Sequence, residues 1–228
     1  MSAKHLESGQ GMTSLRTRQR LVERLTEKGI SDVRVLEAMR DTPRHLFLDE
    51  ALSSRAYEDL ALPIGYQQTI SQPYTVAKMT EAIIQNNKLS PKPIKKVLEI
   101  GTGCGYQTAI LSRFSEKVIS IERVKPLYMK AKNTLKNLKI LNVELFHDDG
   151  QSLVDSSNKF DAILSAAAPM YVPQYLYNSL EVGGRLIIPL GTDKKQQLTL
   201  ITKIDEETFN TKEIEEVLFV AHVGGLIE

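Results

Sequence analysis

The chain has 228 residues, of which 42% are hydrophobic and 25% charged, and its formal net charge is +1 at pH 7. That is the composition of a soluble globular protein with a core of its own, and the small charge excludes bulk attraction to nucleic acid or to an anionic membrane as a basis for function. A single cysteine, Cys104, excludes an intramolecular disulfide and fits a reducing compartment.

No apolar run of signal-peptide type lies near the start, and none approaches the roughly 20 residues of a membrane span, so the expectation is a soluble, cytoplasmic chain with no membrane partner. Residues 1–11 read as a loose tail. From Thr13 the pattern turns helical, with Leu15, Leu21, Val22 and Leu25 on one face and Gly29 as the stop. The arginines of that helix, Arg16, Arg18, Arg20 and Arg24, read as a solvated face. Ser31 is placed to cap a second helix carrying Val33, Leu36 and Met39, which Pro43 closes. Residues 44–74 read as mostly irregular, with Pro63, Gly65 and Pro73 as punctuation, and a helix is expected over 75–86.

Beyond "SPKP" the texture changes. "KVLEIG" reads as a buried strand, followed by a helix over 108–114; "KVISIE" is a second strand and "LYMKAKNTLKNL" a second helix. "NVELFH" and "FDAILSA" are further strands, and a helix over 172–179 leads to "GRLIIPLG", "QLTLITKI" and "EEVLFVAHV". Strands alternating with helices dictate a parallel sheet with helices on both faces. The last two strands have no helix between them and form an antiparallel tail. The fold class is therefore α/β, with an α/β domain over 88–228 and a mainly helical N-terminal extension over 1–87 lying on it.

"EIGTGCGYQ" runs off the first strand of that domain into a helix. Gly101, Gly103 and Gly105 let the backbone turn sharply and approach a ligand closely, at the strand end where open α/β sheets bind ligands. A dinucleotide loop places a third small residue where this chain has the bulky Tyr106, and the loop has no Lys or Arg to meet a pyrophosphate. No nucleoside-triphosphate loop of the G-x-x-x-x-G-K-[ST] type is present. Glu122 ends the second strand, where a carboxylate accepts from both ribose hydroxyls. Asp149 and Gly150 follow the third, where a side chain reaches an adenine amino group and a free backbone N–H meets a ring nitrogen. Glu99, an acid inside the first strand, is either a paired structural acid or a group that orients the loop or its waters near an ammonium.

An adenosine ligand with no phosphate site points to S-adenosylmethionine. The combination of "VLEIGTGCG", "VISIE" and "HDDG" resembles the class I S-adenosylmethionine-dependent methyltransferases, whose sheet is Rossmann-like. The cofactor-binding set is then Glu99, Gly101, Gly103, Gly105, Gln107, Glu122, Asp149 and Gly150, and the cofactor leaves as S-adenosylhomocysteine. "ALPIGYQQTISQPY", together with "PRHLF", "AYED", "FDAILSAAAP" and "GGRLIIPLG", resembles the protein-L-isoaspartate O-methyltransferases. That family methylates the free α-carboxylate of L-isoaspartyl residues, and D-aspartyl more slowly, in damaged proteins and peptides. The resemblance implies Ser71 as the active-site residue and Thr69, Ile70, Gln72 and Pro73 along the methyl-acceptor site.

The chemistry suits a neutral polar loop. A carboxylate is already ionised at neutral pH, so the task is to align one oxygen behind the methyl group, about 3–3.5 Å away. A Lys or Arg clamp would favour the charged ground state over a transition state in which charge is being lost. Three positions depart from the usual family pattern: Asp148 stands where a glycine is common, and Ala221 with His222 where proline and an aliphatic residue are frequent. His5, His45, His147 and His222 lack metal-ligand spacing, so no metal is expected. Two rivals remain, a methyltransferase of small molecules or nucleic acid and a cofactor-binding adaptor without activity. Weak basicity argues against nucleic acid, and the intact "TISQP" against the adaptor. The implied partners are isoaspartyl-containing proteins and peptides, with the enzyme a monomer.

Overall fold

A computed structural model describes residues 11–84, 94–150 and 158–228. Most of the loose tail, the last two residues of the helix expected over 75–86 and the break at 90–93 lie outside them. Helix α1 (Leu15–Glu27) is capped by Ser14, whose hydroxyl accepts from the Thr17 N–H. Its covered stripe is Arg18, Leu21 and Leu25, while Leu15 stays exposed because the first turn runs past the covered surface. Only part of the arginine cluster is a solvated face. Arg18 is buried against the Tyr57 ring, and Arg24 donates to the Tyr57 carbonyl at 2.5 Å.

Helix α2 (Val33–Asp41) is capped by Asp32 and not by Ser31. The Ser31 hydroxyl is taken by the buried Glu81, whose Oε1 also accepts from the Ser31 and Asp32 N–H groups at 2.8 and 2.7 Å. The helix buries Val35, Leu36, Ala38 and Met39 and leaves Val33 exposed. Three-residue steps drift by about 60° each around a helix of 3.6 residues per turn, so residues 33, 36 and 39 do not share one face.

Two 3-10 turns follow, Arg44–Phe47 and Glu50–Arg55. Arg44 is fully buried, donating to the carbonyls of Ala56 (2.8 Å) and Leu60 (3.4 Å). The segment read as irregular also holds a hairpin, β1 (Leu62–Gly65) paired antiparallel with β2 (Gln68–Ile70). Its two linking residues, Tyr66 and Gln67, have φ of 54° and 58°. Two consecutive left-handed residues match the twist of a tight hairpin, although no Asn-Gly or Asp-Gly pair announces it. Helix α3 (Pro73–Ile84) begins two residues earlier than expected, with Pro73 at its first position, where a missing N–H is harmless.

The remaining elements are β3 (Ile94–Ile100), α4 (Tyr106–Leu111), β4 (Ser115–Glu122), α5 (Lys125–Asn137), β5 (Val143–His147), β6 (Phe160–Ser165), α6 (Gln174–Asn178), β7 (Leu180–Thr192), β8 (Lys195–Lys203) and β9 (Phe209–Val217). They form one seven-stranded sheet in the order β5-β4-β3-β6-β7-β8-β9. It is parallel through β7 and antiparallel at β8 and β9, as the missing crossover requires. Strand β9 starts and ends six residues earlier than the apolar pattern suggested. The chain turns tightly at Asp205–Thr208, so β8 pairs with the polar run Phe209–Val217, and the apolar run after it leaves the sheet.

Alternation along the strands makes two cores. Val97, Val118, Ala162, Leu164, Ile187 and Leu198 face one way and join the buried residues of α1 to α5. Leu98, Ile100, Ile121, Ile163, Leu186 and Ile188 face the other way and meet Leu176 of α6. The N-terminal helices therefore share a continuous core with one face of the sheet.

Candidate functional site

The carboxyl ends of β3, β4 and β5 open into a cavity of about 670 Å³, within the range of small-molecule sites. Its far walls are the hairpin and the start of α3, the Ala166–Ala167 turn after β6, and residues 215–223. The glycine loop forms its floor. The Gly101 and Thr102 N–H groups donate to the Ile121 carbonyl (2.9 and 3.1 Å), which holds the loop over the end of β4. Gly101, Gly103 and Gly105 all have positive φ, between 55° and 91°, a backbone that side-chain-bearing residues rarely adopt.

Gly103 lies under the hairpin, where an added Cβ would come within 3.3 Å of the Ile64 side chain. Gly105 serves packing: a Cβ there would meet Ala131 at 3.3 Å and Leu135 at 3.4 Å on α5. The bulk of Tyr106 also has an explanation. The ring is buried, edge-on to Phe47 and under the Arg44 guanidinium, and it locks α4 to the N-terminal segment.

Glu122 lies on the wall, 5% exposed, with Oε2 accepting from the Gly103 N–H at 2.7 Å and Oε1 from the Val124 N–H at 2.9 Å. Burial pushes its carboxyl up, against the downward pull of those N–H groups. Asp149 also lines the cavity, its Oδ2 accepting from the Gly225 N–H at 3.1 Å. The Gly150 N–H, expected to be free, is taken by Asp148 Oδ1 at 2.8 Å, and Gly150 itself lies behind the wall. An acid at position 148 thus occupies the donor that a glycine there would leave open. Gln107 lines the cavity and donates to Thr80 Oγ1 at 3.0 Å.

Glu99 is buried beneath the loop, away from the cavity wall. Its Oε2 accepts from the hydroxyls of Thr108 (2.5 Å) and Ser120 (2.6 Å), and Ser120 in turn meets Thr102 Oγ1. Its Oε1 is buried with no hydrogen-bond partner among the described residues, and burial pushes the carboxyl up to about 7. Through these bonds it ties strand, loop and helix together. Cys104 in the same loop is buried, which pushes its thiol up to about 11.

The structure brings Thr69, Ile70, Ser71 and Gln72 to the same cavity as Gly101, Gly103, Gln107, Glu122 and Asp149, while Pro73 is buried just behind. Sequence reading missed Lys28, Tyr74, Arg123 and residues 215–220, all of which line it. The Tyr74 hydroxyl donates to Glu215 at 2.9 Å and so closes the mouth between α3 and β9. No local motif marks these residues, because they meet only through the packing of distant elements.

The floor and walls are compatible with S-adenosylmethionine: glycines that let a ligand approach the backbone, the Glu122 carboxylate against the loop, and apolar Ile100 and Ile121 on the wall. The sheet order with its antiparallel last strands and the loop at the end of β3 define a class I S-adenosylmethionine-dependent methyltransferase. Comparison with known proteins narrows the class. The sequence pattern described as "Protein-L-isoaspartate(D-aspartate) O-methyltransferase (PCMT)" matches residues 16–226, and the chain belongs to that family. It is 51% identical to a protein-L-isoaspartate O-methyltransferase of Methylobacillus flagellatus, over 96% of each chain. It is 49% identical to one of Alcanivorax borkumensis, over 96% of this chain and 97% of the relative. A Plasmodium falciparum protein solved under the same enzyme name, in complex with S-adenosyl-L-homocysteine, superposes with a TM-score of 0.75 at 28% identity, over 90% of this chain and 98% of the other.

Proposed function

We propose that this chain repairs damaged proteins by transferring a methyl group from S-adenosylmethionine to the free α-carboxylate of L-isoaspartyl, and D-aspartyl, residues. The observation that carries this reading is the meeting of Ser71, from the first third of the chain, with Gly103 and Glu122 on one cavity. When bound, the cofactor supplies a methyl group on a cationic sulfonium.

The charges of the lining suit that cation. Glu122, Asp148, Asp149, Glu215 and Glu216 face only Lys28 and Arg123, so the wall favours a positive ligand. Lys28 is itself neutralised by Asp59 at 2.5 Å. In this reading the Ser71 hydroxyl and the backbone of 69–72, and not a cation, hold the acceptor's carboxylate by neutral hydrogen bonds. These leave the oxygen nucleophilic and orient it towards the glycine loop. The acceptor is ionised at neutral pH, so no side chain has to remove a proton before methyl transfer.

The cofactor-binding role assigned to Gly101, Gly103, Gln107, Glu122 and Asp149, and the packing role of Gly105, Gly150 and Glu99 behind them, belong to this proposal. So does a division of labour near residue 88, with acceptor recognition from 1–87 and cofactor binding from 88–228. Among the described residues no helix is long and apolar enough to cross a membrane. A monomer working in the cytoplasm, apart from nucleic acid, is the setting we propose. The test is labelled S-adenosylmethionine offered with paired peptides that differ only in isoaspartate or aspartate. Label is expected in the isoaspartyl peptide alone; equal label in both, or in neither, refutes the reading.

A further inference from the structure

Asp59 lies outside the cavity wall, yet it holds the segment that carries the proposed acceptor site. Its side chain is 10% exposed and gathers donors from two other parts of the chain. Lys28 Nζ, just past α1, lies 2.5 Å from Oδ2; the Gln72 side-chain amide donates to the same oxygen at 3.0 Å; the Tyr74 backbone N–H donates to Oδ1 at 2.8 Å. Gln72 and Tyr74 flank Pro73, immediately after Ser71. The Tyr74 N–H belongs to the first turn of α3, where helix N–H groups have no partner within the helix and a carboxylate is favoured. At its other end Tyr74 is tied through its hydroxyl to Glu215. The chain that follows Ser71 is thus held from below by Asp59 and from across the mouth by β9.

We propose that Asp59 is a positioning residue for methyl transfer: its carboxylate clamps Gln72 and Tyr74 and so fixes where Ser71 meets the acceptor, without touching acceptor or cofactor. This rests on the methyltransferase reading above. Three donors converge on one group, and only an ionised carboxylate accepts from all of them without presenting a donor of its own. An amide in its place would turn an N–H₂ either towards the Tyr74 N–H or towards both Lys28 and Gln72. Burial pushes the Asp59 carboxyl up, but the Lys28 ammonium, the Tyr74 N–H and the Gln72 amide together hold it below its ordinary value, so it stays ionised at neutral pH. The two loop bonds do the positioning. Lys28 is 48% exposed, and a screened pair at the rim contributes little by itself.

The experiment measures Asp59→Asn, Asp59→Glu and Lys28→Met in the full chain, with kcat on an isoaspartyl peptide and the Kd of S-adenosylhomocysteine by calorimetry. Asp59→Asn is expected to lower kcat about tenfold or more while the Kd stays within about twofold, the pattern of an interaction needed for the reaction geometry and not for cofactor binding. Asp59→Glu keeps the charge but shifts it by one methylene; it is expected to behave likewise and is the variant to read should Asp59→Asn not fold. Lys28→Met, on the cavity wall, is expected to lower kcat less than Asp59→Asn does. A smaller fall in kcat overturns the proposal. A parallel loss of cofactor affinity also overturns it, since that marks a general structural role. So does a Lys28→Met loss equal to that of Asp59→Asn, which assigns the effect to the ion pair. A parent enzyme that labels aspartyl and isoaspartyl peptides alike marks failure of the functional reading instead, and is seen without any variant.

Discussion

In the proposed reaction Ser71 offers a hydroxyl to an acceptor that arrives already ionised, so its removal is expected to be read in turnover and not in cofactor binding. Ser71→Ala deletes one hydrogen bond to a charged group, worth about 1.5–3 kcal/mol, or roughly 10–150-fold in kcat. The S-adenosylhomocysteine Kd is expected to stay within about twofold, and unchanged turnover would remove Ser71 from the mechanism. Glu99 carries a pH prediction. Its folded carboxyl is raised from 4.5 to about 7 by burial. A raised folded value means that its contribution is intact below the unfolded pKa and is lost as pH climbs through the folded one. At about 1.4 kcal/mol per unit, the loss amounts to roughly 3 kcal/mol by pH 8. Thermal denaturation from pH 4 to 8, with Glu99→Gln as reference, should show the parent losing stability relative to the variant across that window. Parallel curves would mean that Glu99 is not perturbed.

Among the elements, the turn into α4 joins local backbone demand to packing. Gly29 and Gly105 both sit in the left-handed region, with φ of 92° and 89°, but a side chain at 29 would meet nothing within 4 Å, whereas one at 105 would press on Ala131 and Leu135. Gly29→Ala is therefore expected to cost about 1–2 kcal/mol from backbone strain alone. Gly105→Ala adds overpacking of about 1–3 kcal/mol, read as the larger fall in urea midpoint. Equal falls would show that α5 yields. At this scale much was legible. The strand–loop–helix succession around "VLEIGTGCGYQ" follows from an apolar run, clustered glycines and a helical period. The β1–β2 hairpin was not, because its turn residues Tyr66 and Gln67 are ones that seldom take positive φ. The cap of α2 was misplaced by one residue because Glu81, distant in sequence, claims Ser31.

Across the whole molecule, the cavity is assembled from the N-terminal hairpin, four strand ends, and the end of β9 with the segment after it. A ligand that spans these parts binds only the folded chain. At one hundred times its Kd, S-adenosylhomocysteine should stabilise the protein by about 2.7 kcal/mol, which for a chain of this length raises Tm by roughly 5–11 °C. Scanning calorimetry with and without the ligand checks this. The absence of any shift would mean that the cavity is not the cofactor site.

By itself the sequence determined the order of strands and helices from β3 onward, the antiparallel tail, the glycine loop with Glu122 at the next strand end, and the polar run around Ser71. Each of these depends on side-chain period, backbone freedom or charge over a few neighbouring residues, and such constraints are written locally. Only the tertiary structure decided that Tyr106 is a core residue, that residues 215–223 form a wall, and that Asp59 holds the Ser71 segment. These depend on contacts between residues up to about 140 positions apart, as Tyr74 and Glu215 are. Which distant groups meet is settled when the amphipathic elements bury their apolar faces together, and no local pattern encodes that outcome.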